Sequence, residues 1–270
     1  MTNGNFQWVD NLKNILKTQW FGKEIQHFES IDSTNNEIKR LALKNIVNGF
    51  VVLAEEQSAG RGRRGNNWIS EKGSGIWMSF MIKPKIPVER VSMLTLVAAL
   101  AVAKAVKEET GLDCNIKWPN DILVNKHKVC GILTELSMSD NEIAYVVVGI
   151  GINVNSENFP ENIKNIASSL FLESKKKQNR EQIIASFGKW FEYYYDQFLE
   201  TEDLSLLTEE YNKALINVGK QVRIIGDKDE KEYRAVGIDK EGLLIVEDDK
   251  GNVEKIRAGE VSVRGIYGYV

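Results

Sequence analysis

The sequence predicts an α+β protein, with interleaved helices and strands over residues 1–217 and a small all-β unit over residues 218–270. Three observations support this. Apolar residues recur at three- and four-residue steps in several long segments. Between those segments lie short apolar runs of strand length, bounded by glycine, proline or asparagine. Beyond Val218 helical periodicity stops, and short strand-like runs alternate with turn signals.

Taken in order, Phe6, Val9, Leu12, Leu16 and Trp20 predict a helix through the first twenty residues. Residues 25–31 alternate as a strand. Thr34-Asn35-Asn36-Glu37 matches a capping box, followed by Ile38, Leu41, Ala42 and Ile46 on one helical face. Residues 50–54 and 76–82 read as buried strands, the second ended by Pro84 and Pro87. Residues 91–109 form a long helix, apolar nearly all round in its first half, with Gly111 as its C-terminal cap. Strands follow at 114–118, 122–124, 129–136 and 145–150, with Asn125-Lys126 as a hairpin turn. Residues 168–218 are helical again, and Phe187, Trp190, Phe191, Tyr194 and Phe198 form a stripe that packs a core. The last strands fall at 221–225, 232–238, 243–246, 253–257 and 260–264, separated by Gly226-Asp227, Glu241-Gly242 and Asp249-Lys250-Gly251. That spacing suggests a small β-barrel.

The chain of 270 residues is 43% hydrophobic and 27% charged, with 35 basic and 38 acidic residues and a formal net charge of −3. Such a balance argues against a general nucleic-acid-binding surface. The most apolar stretch, residues 93–106, is broken by Thr95 and Lys104 and is too short to span a bilayer, so no membrane partner is expected. The N-terminus lacks the apolar run of a signal peptide. Cys114 and Cys130 read as buried free thiols, and His27 and His127 are too isolated to complete a metal site with them. A reducing, cytoplasmic setting fits these features.

Residues 60–65 read Gly-Arg-Gly-Arg-Arg-Gly, directly after a strand. Gly60, Gly62 and Gly65 allow backbone angles closed to other residues, while Arg61, Arg63 and Arg64 supply forks that match phosphate or carboxylate. The spacing also matches the dinucleotide fingerprint, but residues 66–70 show no helical period, so that reading fails on context. Taken alone, the loop divides evenly between a ligand loop on one side and, on the other, a flexible basic surface loop or an Arg–Gly patch touching RNA.

A second cluster favours a ligand site. Lys117-Trp118-Pro119-Asn120-Asp121 places a cation inside a strand pattern and two polar side chains at its exit. A turn accounts for Pro119, Asn120 and Asp121 but not for Lys117. Lys128 stands in the same way at the mouth of the run Val129-Cys130-Gly131-Ile132-Leu133. One such lysine snorkels to water; two suggest a site. In isolation, Gly149-Ile150-Gly151-Ile152-Asn153 reads as a bulge or turn and Ser33-Thr34-Asn35 as a helix cap.

The ordered set Ser33-Thr34-Asn35, Gln57, residues 60–65, residues 117–121, Lys128 with Gly131-Ile132-Leu133, and residues 149–153 closely resembles the biotin protein ligases over about residues 25–265. The resemblance implies a mixed β-sheet flanked by helices, of the class II synthetase-like type, with a C-terminal SH3-like barrel. It implies biotin and ATP as substrates, Mg²⁺ accompanying the ATP, and no dedicated metal site. Biotinyl-AMP and pyrophosphate would form first, and the biotinyl group would then pass to a lysine of a biotin carboxyl carrier domain.

Under that resemblance the biotin-binding residues are Ser33, Thr34, Asn35, Gln57, Gly60, Arg61, Gly62, Arg63, Lys128 and Gly131. Those binding ATP are Arg63, Arg64, Trp68, Lys117, Asn120, Asp121 and Asn153. Lys128, Arg61, Arg63 and Asp121 carry the chemistry, with Asp121 orienting the incoming amine or taking its proton, or else organising the Asn120 turn. Many family members have a further arginine after the last loop glycine; here Asn66 occupies that position and Arg64 is the candidate to compensate. With about thirty residues before Ser33, too few for a winged helix, the expectation is a ligase without DNA binding. The alternatives are a lipoate–protein ligase of the same fold and a non-catalytic nucleic-acid-binding protein using the Arg–Gly loop.

Overall fold

The computed structural model describes residues 7–225, 230–258, 262–265 and 269–270. Helix α1 (Gln7–Ile15) precedes β1 (Ile25–Phe28), α2 (Thr34–Ala42), β2 (Val51–Ala54) and β3 (Gly75–Ile82). Helix α3 (Met93–Thr110) then leads into β4 (Asn115–Lys117), β5 (Asp121–Val124), β6 (His127–Ser139) and β7 (Glu142–Asn153). Helices α4 (Leu170–Ser174), α5 (Arg180–Thr201) and α6 (Thr208–Ala214) follow, and β8 (Gln221–Ile225), β9 (Glu230–Ile238), β10 (Leu244–Glu247), β11 (Val253–Ile256) and β12 (Ser262–Gly265) are the last of the described elements.

Strands β1–β7 form one sheet in the order β1-β2-β3-β7-β6-β5-β4. The β1–β2 pair is parallel and the other pairs are antiparallel, so the sheet is mixed as expected. Strand side chains alternate between two cores. On one face Leu53, Met78, Phe80, Val148 and Ile150 meet α3 and the aromatic stripe of α5. On the other, Val52, Ala54, Met81 and Val147 meet Ile38 and Leu41 of α2. Helix α2 is short, which leaves the rest of that face open for a site. Gly111 caps α3 at φ 74°, its N–H bonded to Lys107 O. Strands β8–β12 form a second, antiparallel sheet ordered β11-β10-β9-β8-β12, which fits the SH3-like expectation.

Several local expectations fail for identifiable reasons. The first helix ends at Ile15 rather than reaching Trp20, because the Glu192 carboxylate takes the backbone N–H groups of Gln19, Trp20 and Phe21 at 2.7, 2.7 and 2.8 Å. Three donors on one anion outweigh another helical turn. The capping box is not made either. Ser33 precedes α2 without a side-chain cap, and Glu37 turns to Arg40 at 2.6 Å. The Gly149–Asn153 stretch is regular strand, not bulge or turn, paired residue for residue with β3 and, through Ile152, with β6. Cys130 is buried as expected, whereas Cys114 is only partly so; burial still pushes the Cys114 thiol up to about 12. The expected Gly226-Asp227 turn and the residues 260–261 of the last strand lie outside the described residues.

Candidate active site

The face left open beside α2 owes its shape to one cross-strand row. Lys117 pairs with Asp121, Asp121 with Gly131, Gly131 with Gly151, and Gly151 with Trp77. Paired residues share a face, so a cation and a carboxylate stand beside a floor with no side chains. The indole of Trp68 occupies that floor. A Cβ on Gly151 would meet its Nε1 at 2.4 Å, and one on Gly131 its Cζ3 at 2.8 Å. Lys128 joins the same face through a break in register: Ile122 pairs with Cys130 and Leu123 with Lys128, so Val129 is the extra residue. Without that bulge Lys128, three residues from Gly131, would point the other way.

A loop from β2 to β3 covers the floor. Its tip is a tight turn in which Gly62 N–H donates to Asn66 O at 2.7 Å and Trp68 N–H to Gly60 O at 2.9 Å. Arg64 and Gly65 hold positive φ at 55° and 74°. Asn66 also donates from Nδ2 to Arg63 O at 3.0 Å, closing the turn. Arg63 reaches inward, donating from Nη1 to Asn120 Oδ1 at 2.8 Å, and Asn120 is fixed by its own bond to Ile132 O at 3.1 Å. The glycine–arginine loop and the Lys-Trp-Pro-Asn-Asp segment, remote in sequence, thus form one wall.

Arg63, Lys117 and Lys128 converge on Asp121. Lys128 Nζ lies 2.7 Å from Asp121 Oδ1, and Lys117 is 6% exposed. Burial pushes Lys117 down to about 8 and lowers Arg63 as well, each countered in part by the charge of Asp121. Three cations around one carboxylate leave positive charge unbalanced among the described residues in a partly dry site, a setting suited to an anionic ligand. Tyr269 also reaches this group: its hydroxyl donates to Asp121 Oδ2, and Lys117 Nζ sits 3.5 Å from its ring centroid.

The opposite wall is polar but uncharged near the floor. Gln57 Oε1 accepts from Thr34 N at 2.9 Å and Thr34 Oγ1 at 3.1 Å, while Gln57 Nε2 donates to Ser70 Oγ at 2.8 Å. Ser79 Oγ lies 2.7 Å from Thr34 Oγ1 and 2.5 Å from Asn35 Oδ1. Asn35 Nδ2 donates to Glu135 Oε2 at 2.7 Å, and Gly149 is required here because a Cβ would fall 2.0 Å from Asn35 Oδ1. Arg61 turns to this side, 3.3 Å from Glu135 and 3.2 Å from Asn36 Oδ1, and is therefore separate from the Asp121 group. Between the walls lies a cavity of about 700 Å³.

Ser33, Thr34, Asn35, Gln57, Arg61, Gly62, Arg63, Arg64, Trp68, Lys117, Asn120, Asp121, Lys128, Gly131 and Asn153 all line that cavity. Gly60 stands behind it, where a Cβ would meet Trp68 O at 2.3 Å. Asn153 lines its margin, with Nδ2 donating to Ser168 O at 3.0 Å. Sequence reasoning missed Ser79, Glu135, Arg264 and Tyr269. Glycines or polar residues at 149, 151 and 153, two apart in an apolar strand, were the available signal for the open face. Nothing local marked Ser79 or Tyr269. Among the described residues, no cluster of three or more His, Cys, Asp or Glu side chains is placed to hold a metal ion.

Residues 27–153 match the Biotin/lipoate A/B protein ligase family, and residues 218–264 match the Biotin protein ligase C terminal domain. The bifunctional ligase/repressor BirA of Bacillus subtilis is 36% identical over 252 residues, covering 92% of this chain and 76% of that protein. The chain belongs to the biotin protein ligases. The biotin–[acetyl-CoA-carboxylase] ligase of Mycobacterium tuberculosis is 31% identical over 240 residues, covering 85% of each chain. Biotin protein ligase from Aquifex aeolicus, solved with biotin and ATP, superposes with a TM-score of 0.80 at 30% identity, covering 90% of this chain and 99% of that one. These matches favour neither the lipoate-ligase nor the nucleic-acid-binding alternative. Among the described residues no helix is long and apolar enough to cross a membrane.

Proposed function

We propose that this ligase joins the carboxylate of biotin to the α-phosphate of ATP, releasing pyrophosphate, and passes the biotinyl group to a lysine of a biotin carboxyl carrier domain. The carrier belongs to a biotin-dependent carboxylase, and the setting is cytoplasmic. The observation that carries this reading is the convergence of Arg63, Lys117 and Lys128 on a single carboxylate beside a glycine floor. An anionic acid must approach an anionic triphosphate, and cations in a dry site offset that repulsion.

In the first step a biotin carboxylate oxygen attacks the α-phosphorus and the bond to the β-phosphate breaks. Arg63 and Lys117 hold phosphate oxygens, and Lys128 holds the carboxylate and α-phosphate oxygens. Thr34, Asn35 and Gln57, with Ser33, pair the N–H and C=O groups of the ureido ring. Gly131, with Gly151, seats the Trp68 indole close to the sheet beside the ring and tail, and Trp68, whose buried Nε1 has no hydrogen-bond partner among the described residues, anchors the loop over the product. Arg64 and Asn153 complete the nucleotide side. Mg²⁺ would arrive on the nucleotide's own phosphates, since the described residues offer no separate acidic cluster.

In the second step the acceptor amine attacks the acyl carbon, AMP departs, and Asp121 orients the amine and takes its proton. Closure of the loop keeps water from the mixed anhydride in the interval. Residues 1–217 form the unit that makes and uses the adenylate, and residues 218–270 the unit that borders the nucleotide side through Arg264 and Tyr269. The test is mass spectrometry of a carrier domain incubated with the chain, biotin, ATP and Mg²⁺. A mass increase of one biotinyl group, lost with Lys128→Ala and absent with lipoate, supports the reading. An unchanged carrier mass, with the domain competent for a known ligase, contradicts it.

A further inference from the structure

Outside the cavity, one buried charged cluster is not used by the chemistry above. It lies at the root of the covering loop. Glu55, 4% exposed, closes β2 where the loop begins. Its Oε1 accepts from Trp8 Nε1 at 2.6 Å and stands 3.1 Å from His27 Nε2, and its Oε2 accepts from Arg180 Nη1 at 2.8 Å. The same Arg180 Nη1 reaches Gly75 O at 3.3 Å, the point where the loop ends and β3 starts. One guanidinium from the start of α5 therefore touches both ends of the loop. Its outer face is covered by the Trp8 ring, 4.5 Å away.

The backbone near these ends is also tied down. Ser58 N–H donates to Ile31 O and Ala59 N–H to Asp32 O, each at 2.9 Å, and Asn155 N–H donates to Ser74 O at 2.6 Å. Between these fixed stems, the tip is joined by backbone bonds to itself and by Arg61 and Arg63 to the two walls of the cavity. A tip that swings from held stems returns to one place, so Arg63 meets its ligand in one geometry.

We propose that Arg180 is a positioning residue for the covering loop: by bridging Glu55 and Gly75 it fixes the spacing of the two stems and so the registry of Arg61 and Arg63 over the ligands. The role rests on the closing-loop reading above. Removing Arg180 alone leaves the Glu55 carboxylate buried without its cation and risks unfolding. The double variant Glu55→Gln/Arg180→Met removes both charges, and Arg180→Lys keeps the charge without the fork.

Trypsin, which cuts after the tip arginines, reads the result on the full chain. In the wild type, saturating biotin and ATP slow tip cleavage by at least about tenfold. In the double variant, folded by its melting curve, the ligands give little protection, and the KM for biotin rises about tenfold while kcat falls less. Arg180→Lys lies between. A purely structural role would lower the melting temperature and leave the protection ratio and KM unchanged. Wild-type protection in both the double variant and Arg180→Lys overturns the proposal while leaving the closing loop intact. Absence of protection in the wild type overturns the closing loop, and the proposal with it.

Discussion

Gly131 and Gly151 stand opposite each other across the β6–β7 ladder, and both lie beneath the indole of Trp68. The pair leaves a flat patch on the face of the sheet that carries the site. Gly151 is in extended strand and is needed for close approach, not for backbone freedom. Gly151→Val is expected to displace Trp68, raising KM for both substrates by more than about tenfold, while a strand-favouring residue leaves the melting temperature within a few degrees. Steady-state kinetics beside a melting curve checks this, and unchanged KM values would show that Trp68 does not anchor the closed loop.

Tyr269 and the acceptor amine compete for one carboxylate in this account. The tyrosine hydroxyl occupies Asp121 Oδ2, with Lys128 on the other oxygen. A hydrogen bond to a charged group is worth about 1.5–3 kcal/mol, or about tenfold and upwards. Tyr269→Phe is therefore expected to raise kcat/KM for the carrier domain by about tenfold, while pyrophosphate release changes less. Single-turnover transfer from preformed adenylate measures it; a slower transfer would mean that Tyr269 assists the amine.

Burial sets Lys117 at about 8 in the ligand-free site. Bound triphosphate favours the charged lysine, so its pKa rises on binding and a proton is taken up. ATP affinity is then expected to fall as pH rises above about 8, and calorimetry at that pH in buffers of different ionisation enthalpy should show net proton uptake. Lys117→Met removes the uptake. Uptake persisting in that variant would assign the titration elsewhere.

Glu55 titrates in the opposite sense. Burial raises its pKa, but His27, Arg180 and Trp8 together outweigh burial and hold the carboxyl at about 2, below the usual 4.5. A carboxyl lowered in the folded state stabilises above its unfolded pKa and loses that contribution as pH falls through the folded one. That contribution is lost between pH 4.5 and about 2. Denaturant unfolding of the wild type and Glu55→Gln across that range checks it: the difference should shrink towards low pH, and a constant difference would mean that Glu55 is not the titrating group.

The sequence made the strands, the long buried helix and the ligand loop legible because each rests on a local pattern. Phe187, Phe191, Tyr194 and Phe198 announced their core role by helical spacing, and all four are buried. What escaped was set by distant partners. Glu192 ends the first helix's path from 171 to 173 residues away, and no periodicity near Trp20 marks it. Thr34 reads locally as a helix cap, yet its hydroxyl turns to Gln57 and Ser79 across the chain. Lys128 was suspicious for standing beside an apolar run, but its direction depends on a bulge that only pairing with β5 creates.

The central claim is that the cationic loop closes over a newly formed biotinyl adenylate and keeps it from water. The most direct measurement mixes the chain with biotin and α-labelled ATP, then follows enzyme-bound label and pyrophosphate without any carrier. The expected result is one retained adenylate per chain with matching pyrophosphate, and rapid loss of the label in Arg63→Ala. Label that never forms, or that leaves the wild type as fast as the variant, would contradict the account.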